Sequence, residues 1–355
     1  MRVLLIGAGR YGNDLIGKKY VSGELGVKLA GVIDPKIEEI KHSVSYCLKG
    51  VPTYKSIDDV PSKLIRNSVI DIALIPQIVP EIYGKLLDKG AKQVILPKPV
   101  VTNTDDFEKM INMTNENNAQ ALVASNWHYS DITATVKEIL SKITGNNFDK
   151  HKFNSNLEEK LEKISSEYKI KKVNVQYNKK NEVLTIDPPL QELPHALQIV
   201  YSAGITNLQN IQVAVKKILQ SKSRVNAELK NVENVKKSIV LNSDLQMGEK
   251  LAKQRERIVD ILLENNNSQA KMTIDYDAYF KNGICEKSPS IHFESYDKKN
   301  NCNWDYVIEE DNMNTMYNMM LNFFRGENNT SLTLKKYTPI SKILCEIQNQ
   351  WKSKI

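Results

Sequence analysis

Near its start the chain reads Val3-Leu-Leu-Ile-Gly7-Ala8-Gly9-Arg10-Tyr11-Gly12. Glycines at this spacing suit a backbone that bends tightly and lets an anion come close. Gly7 permits the turn, Gly9 leaves room for a phosphate, and Gly12 lets the next helix pack closely on its strand. The helix N-terminus supplies free N–H groups and a favourable dipole for phosphate oxygens. The spacing alone is a weak signal. Its context strengthens it, because it directly follows an apolar run and opens a helical stretch through Asp14–Lys18. Asp34 closes the next apolar run, 22 residues after Gly12. A carboxylate there accepts hydrogen bonds from ribose hydroxyls and repels a 2′-phosphate. The pair therefore points to a dinucleotide and favours NAD over NADP. Lys36 keeps NADP open, since it can pair with a 2′-phosphate. Taken alone, Asp34-Pro35 reads equally well as a simple turn.

Three further stretches carry reactive side chains. Pro97-Lys98-Pro99 follows an apolar run, Trp127-His128-Tyr129 follows another, and His195 stands in Gln191-Glu192-Leu-Pro-His195. Histidine exchanges protons near neutral pH, its ordinary pKa being about 6.5. Lysine can hold and polarise an oxygen, or exchange a proton when its surroundings lower its pKa. Each residue also has a plain reading: a packed histidine, a surface lysine, a hinge at Trp127–Tyr129, and a helix-capping Glu192.

These residues need elements to position them. Val3–Ile6, Lys28–Ile33, Ile70–Ile75, Gln93–Leu96 and Ala121–Ala124 read as strands, with Ile78–Leu87 and a Thr104-capped segment as helices between them. Alternation with short connections implies a parallel, doubly wound α/β sheet over residues 1–125. The pattern changes after Trp127. Ile132–Ile143 reads as a helix, then comes a polar stretch and an amphipathic segment with Leu157, Leu161 and Ile164 on one stripe. Val173–Tyr177, Ile211–Val215, Ser238–Leu241, Met272–Tyr276, Ile291–Tyr296 and Trp304–Ile308 fit a large, mainly antiparallel open sheet in a second α/β domain, residues 126–355. Two helices, Met313–Phe324 and Ile340–Trp351, close the chain, and the last is expected to pack back on the first domain. The inserted segment at about 146–168 and the charged stretch Glu249–Glu264 read first as solvated helices, with cover for a substrate cleft or subunit contacts as the alternatives.

The 355 residues suffice for two domains. No apolar run approaches the ~20 residues of a membrane span, and the short run before Gly7 is no signal peptide. Four cysteines, none in C-x-x-C spacing, imply reduced thiols, a cytoplasmic location and no metal set. The net charge of +7 is spread among acidic residues, without the basic stripe and interleaved aromatics of a nucleic-acid reader.

The sequence resembles the Gfo/Idh/MocA oxidoreductases over nearly its whole length. The resemblance rests on Gly7–Gly12, Ile75-Pro76-Gln77, Lys89-Gly90, Lys98-Pro99, the segment Glu192–Gly204 around His195, and the stretches Met316–Gly326 and Leu332–Ser353. It implies an NAD(P)-dependent oxidoreductase acting on a secondary alcohol or ketone of a sugar, nucleotide sugar, aminosugar or cyclitol. It implies cofactor contacts at Pro76 and Gln77, and Lys98 beside nicotinamide and substrate. A cis Lys98–Pro99 bond, His195 as proton donor and acceptor, substrate contacts at Trp127, His128 and Tyr129, and a homodimer or homotetramer are also implied. Two positions depart from the family pattern. Pro97 stands where a glutamate is usual, and Gln191 where an aspartate four residues before the histidine is usual. Glu192, three residues before His195, can share a helix face with it and is the candidate replacement. These departures keep open reduction of a C=N or C=C bond, and a non-catalytic dinucleotide-binding sensor or partner subunit.

Overall fold

The computed structural model describes residues 1–42, 46–145, 155–162, 164, 168–179, 187–206, 208–216, 224–231, 238–244, 255–266, 268–277, 279–281, 284–296, 302–309, 312–327 and 331–354. Contacts divide the chain into two units. One holds Met1–Asn126 with Met313–Ser341, the other Trp127–Asn312 with Lys342–Ile355.

The first unit is built on strands β1 (Arg2–Ile6), β2 (Lys28–Ile33), β3 (Thr53–Tyr54), β4 (Val69–Ile72), β5 (Gln93–Leu96) and β6 (Gln120–Val123). They form a sheet in the order β3-β2-β1-β4-β5-β6, with every pairing parallel. Its central strands are almost wholly apolar because helices cover both faces. The helices are α1 (Lys18–Ser22), α2 (Ile37–Lys41), α3 (Ser62–Arg66), α4 (Val79–Asp88) and α5 (Thr104–Glu116). The strand order reverses between β1 and β4, and the crevice at the carboxyl ends of such strands is where doubly wound sheets bind ligands.

Three readings of this unit change in detail. β4 ends at Ile72 and not Ile75, because after Ala73 bonds back to Ile6 the chain turns away and leaves Ile75 exposed. Asn103, not Thr104, caps α5, its side chain accepting from Asp106 N–H at 2.9 Å. The helical run after the glycines starts earlier than Asp14, with a π-helical turn over Tyr11–Gly17.

The second unit carries α6 (Asp131–Ile143), α7 (Ser155–Glu162) and α8 (Pro188–Ser202) against an eight-stranded sheet. Its strands are β7 (Lys169–Lys179), β8 (Ile211–Lys216), β9 (Arg224–Asn231), β10 (Ser238–Asp244), β11 (Arg255–Glu264), β12 (Gln269–Asp275), β15 (Ser290–Tyr296) and β16 (Asn303–Val307), with β13 (Tyr279–Lys281) and β14 (Ile284–Lys287) forming a separate hairpin. The order is β16-β15-β12-β11-β7-β10-β9-β8. Only the β7–β10 pairing in it is parallel. Leu157, Leu161 and Ile164 are all buried, as their stripe implies.

The charged stretch is the main correction. Arg255–Glu264 is a strand near the middle of the sheet, paired with β7 and β12; residues 249–254 lie outside the described residues. Val259, Ile261 and Leu263 point into the core at period two, with Asp260 and Leu262 on the other face. That outer face bears a polar row: Asn174, Asp260, Thr273, His292 and Asp305 stand in direct cross-strand register, and the Asn242–Asn226 pair joins them two residues along, Asn242 standing opposite Gln176. Its links include Asn242 to Asn174 at 2.9 Å, Thr273 to Asp260 at 2.7 Å and His292 to Asp305 at 2.8 Å.

The chain closes with α9 (Asn312–Phe324) and α10 (Leu334–Lys352). α10 starts six residues before Ile340 and carries Pro339 inside it. Within the first unit, Leu332 accepts from Val123 N–H at 2.9 Å, adding a bridge at the free edge of β6. Among the described residues, no helix is long and apolar enough to cross a membrane.

Candidate cofactor cradle and site residues

The glycine loop leaves the carboxyl end of β1. Gly7 has φ +95°, a left-handed conformation that side chains rarely adopt, and its N–H bonds to Ile33 at 2.8 Å. A Cβ on Gly12 would lie 2.0 Å from the Gly7 carbonyl oxygen, so this close approach requires glycine. Gly9 differs. It is exposed, and a Cβ there would meet nothing within 4 Å. Gly7 and Gly12 therefore shape the turn, while Gly9 keeps its outer side open. An open, N–H-lined turn at this place fits a pyrophosphate.

Asp34 belongs to the same site. Its carboxylate accepts from Ala8 N–H at 2.8 Å and from Lys36 N–H at 2.8 Å. The first bond ties the end of β2 to the glycine loop and sets a half-exposed carboxylate beside it. The loop after β4 lies there too. A Cβ on Gly7 would meet the Ala73 oxygen at 2.5 Å and Leu74 at 2.8 Å. Pro76 in this loop is buried, Gln77 is exposed, and Ile75 and Ile78 expose apolar surface. Arg10 is exposed, and the Tyr11 hydroxyl lies 3.1 Å from the Tyr317 hydroxyl. Lys98 follows β5, half-buried, and the Lys98–Pro99 peptide is cis as expected.

Beneath the loop the unit holds an acid that sequence reasoning passed over. Asp71 of β4 is 1% exposed and accepts from the Tyr20 hydroxyl at 2.8 Å. Burial pushes Asp71 from 3.8 up to about 6, against the lowering effect of the Tyr20 and Tyr317 phenols. Burial and the nearby carboxylate likewise push Tyr11, Tyr20 and Tyr317 up.

The other predicted residues sit in the second unit. α8 begins at Pro188 after Asp187, so Glu192 lies inside the helix and is not its cap. The Glu192 side chain lies outside the described residues. Gln191 and His195, one turn apart, share a helix face with the buried Gln198 and with Ser202. His195 is 9% exposed, its ring meeting Trp127 edge-on at 6.4 Å. Trp127 and Tyr129 are buried, while half-buried His128 places Nδ1 2.8 Å from Ser202 Oγ. The structure also brings two unforeseen residues to Trp127. Tyr276 meets it edge-on at 4.9 Å, and the Arg257 guanidinium lies 5.6 Å over its ring and 3.6 Å from Asp277. Among the described residues, no three His, Cys, Asp or Glu side chains gather as a metal site.

An all-parallel sheet in this order, a glycine turn at its switch point and a carboxylate ending β2 define a dinucleotide-type Rossmann domain. The family model described as oxidoreductase family, NAD-binding Rossmann fold matches residues 1–125, so this stretch is similar to the Rossmann domain of the Gfo/Idh/MocA oxidoreductases. The fold of the whole chain recurs in solved dehydrogenases. UDP-N-acetylglucosamine 3-dehydrogenase GnnA from Acidithiobacillus ferrooxidans superposes with a TM-score of 0.67 at 12% identity, covering 100% of this chain and 98% of that one. A dehydrogenase (MviM) from Clostridium difficile gives 0.63 at 12% identity, covering 98% and 99%. A dehydrogenase from Chromobacterium violaceum gives 0.65 at 12% identity, covering 98% and 94%. Among curated proteins, none matches the chain by sequence.

Proposed function

We propose that the chain is an NAD(P)-dependent oxidoreductase moving a hydride between nicotinamide and a secondary alcohol or ketone of a carbohydrate-like molecule: a sugar, nucleotide sugar, aminosugar or cyclitol. The observation that carries this is the bond from Ala8 N–H to Asp34, which joins a phosphate-binding turn to a ribose-binding carboxylate at one switch point. The nicotinamide, when bound, supplies the hydride chemistry. Gly7, Ala8, Gly9, Arg10, Tyr11 and Gly12 hold the pyrophosphate, Asp34 the adenosine ribose, and Pro76 and Gln77 the next part of the cofactor. His195 exchanges the hydroxyl proton, for which its ordinary pKa near neutrality suits it. Lys98 orients and polarises the substrate oxygen, and Glu192 supports His195. Trp127, His128, Tyr129 and Gln191 are assigned to substrate contact. The UDP-N-acetylglucosamine 3-dehydrogenase sharing the fold supports a substrate of this class.

NAD is the preferred cofactor, since the Asp34 charge opposes a 2′-phosphate. A homodimer or homotetramer is expected, and the polar row on the outer sheet face meets many of its hydrogen-bonding needs within the sheet, so that face can be covered at low cost. Gln191 favours a second reading, because an amide takes no proton where the family has an acid. In that reading the chain reduces a C=N or C=C bond, or binds dinucleotide without turnover.

The test is a titration with NADH and NADPH followed by nicotinamide fluorescence, repeated with Asp34→Ala. NADH is expected to bind tightly and NADPH weakly, with the difference relaxed by the substitution. Absence of binding by either, on folded protein free of bound cofactor, sinks the proposal. Once a substrate is found, Lys98→Ala and His195→Ala should lower turnover while leaving NADH affinity near wild type.

A further inference from the structure

Gly7, Gly12 and Gly17 recur every five residues. A Cβ on Gly12 would lie 2.0 Å from the Gly7 oxygen, and one on Gly17 would lie 2.4 Å from the Gly12 oxygen. Gly17 thus packs on the carbonyl five residues back within the run, the spacing of a π-helix, while the Gly12–Gly7 contact closes the turn that precedes it. Tyr11–Gly17 has that form. The π-turn sets the direction of two side chains. Tyr11 and Tyr20 are nine residues apart, and at about 100° per residue an α-helix would place them on opposite sides. A π-turn advances roughly 80° per residue. Over seven residues it turns Tyr11 round toward the side of Tyr20.

Tyr20 donates to the buried Asp71 at 2.8 Å, and Tyr11 meets Tyr317 hydroxyl to hydroxyl at 3.1 Å. Besides burial, the Asp71 charge acts on all three phenols and pushes each of them up. The Tyr20 and Tyr317 rings meet edge-on at 5.9 Å, and Asn314, one turn before Tyr317 on α9, accepts from Lys19 at 2.8 Å. The run Tyr11–Tyr20 is therefore tied to Asp71 through Tyr20 and to α9 through Tyr11, Lys19 and the Tyr20 ring. Asp71 is costly in the middle of an apolar strand, and a stabilising core alone would be served by a valine there.

We propose that Asp71 and Tyr317 are positioning residues for the dinucleotide: they hold the first helix in its π-register, and with it the loop N–H groups that face the pyrophosphate. The proposal rests on the reading that Gly7–Gly12 binds a dinucleotide. It makes α9, far outside the first 125 residues, part of the cofactor site.

The test uses the full chain. Tyr11→Phe and Tyr317→Phe each delete one hydroxyl. Tyr83→Phe is the comparator, because Tyr83 is as buried as Tyr317 in the same unit and bonds Thr114 at 2.8 Å, away from the loop. NADH affinity is read by nicotinamide fluorescence, the turn by amide hydrogen exchange of residues 8–20, and stability by Tm. The first two variants are expected to weaken NADH at least fivefold and to speed exchange over residues 11–17. Tyr83→Phe should lower Tm by a similar amount with NADH affinity unchanged. If the wild type binds NADH and both Tyr11→Phe and Tyr317→Phe bind it equally well, the positioning role is overturned while the cofactor reading stands. If the wild type binds neither NADH nor NADPH, the cofactor reading fails and this role fails with it.

Discussion

Asp71 gives the structure a pH signature that can be worked out in advance. Its carboxyl rises from 3.8 in an open chain to about 6 in the fold, with burial as the cause. That rise disfavours the ionised form by about 3 kcal/mol once the pH exceeds both values. The sign follows from proton binding: the native state holds this proton more tightly than the unfolded chain. The stability associated with Asp71 is therefore greatest below about pH 4 and falls away as the pH rises through 6. About 2 kcal/mol of it lies between pH 4 and pH 7. The exposed carboxylates Glu24, Glu38, Asp58 and Glu81 have lowered pKa values and act in the opposite sense, so the raw curve of the wild type is a sum. The difference between wild type and Asp71→Asn isolates the term, because asparagine keeps the size and loses the titration. Tryptophan fluorescence would miss it, since Trp127, Trp304 and Trp351 all lie in the second unit. Urea unfolding followed by far-ultraviolet circular dichroism at pH 4, 5, 6 and 7 reports on both units. The expected result is a wild-type-minus-variant stability that drops by about 2 kcal/mol across that range. A flat difference, or one that rises with pH, would refute the claim that burial outweighs the two phenols.

Two other substitutions sort shape from contact. Gly9→Ala meets open space and should leave Tm unchanged while weakening NADH, because its methyl group enters the side left open for phosphate. Gly12→Ala drives a Cβ into the Gly7 oxygen and should lower Tm and NADH affinity together; loss of both by Gly9→Ala would show that the loop has been misread. In the second unit, Arg257→Met removes a cation over Trp127 and the partner of Asp277, and is expected to cost about 1–3 kcal/mol in urea unfolding with a shifted tryptophan emission. An unchanged emission spectrum would place Arg257 away from the ring in solution.

What could be read from the sequence follows from how local its causes are. The parallel strands announce themselves because each is buried on both faces and so is nearly continuous in apolar residues, and Gly7, Gly12 and Asp34 carry a spacing that gains meaning from its place directly after such a strand. β11 hides for the opposite reason. Val259, Ile261 and Leu263 alternate as a strand should, but Arg255, Glu256, Arg257 and Asp260 crowd around them, and the neighbours that make Arg255–Glu264 a strand, β7 and β12, impose its register from outside. Asp71 is a mixed case. An acid inside the run Val69-Ile-Asp-Ile72 signals that buried donors must exist, since a carboxylate cannot stay in a strand covered on both faces without them. Which donors supply them is invisible locally: Tyr20 lies 51 positions away. The π-turn between Tyr11 and Tyr20 is legible in principle. Gly7 and Gly12 stand five apart as the G-x-G-x-x-G pattern requires, and Gly17 repeats that step although neither the pattern nor the 3.6-residue period of an α-helix requires it. A period of five running out of a phosphate loop is thus a sequence cue for a widened first turn, and a tyrosine within the loop with another nine residues on marks the side to which that turn is tied.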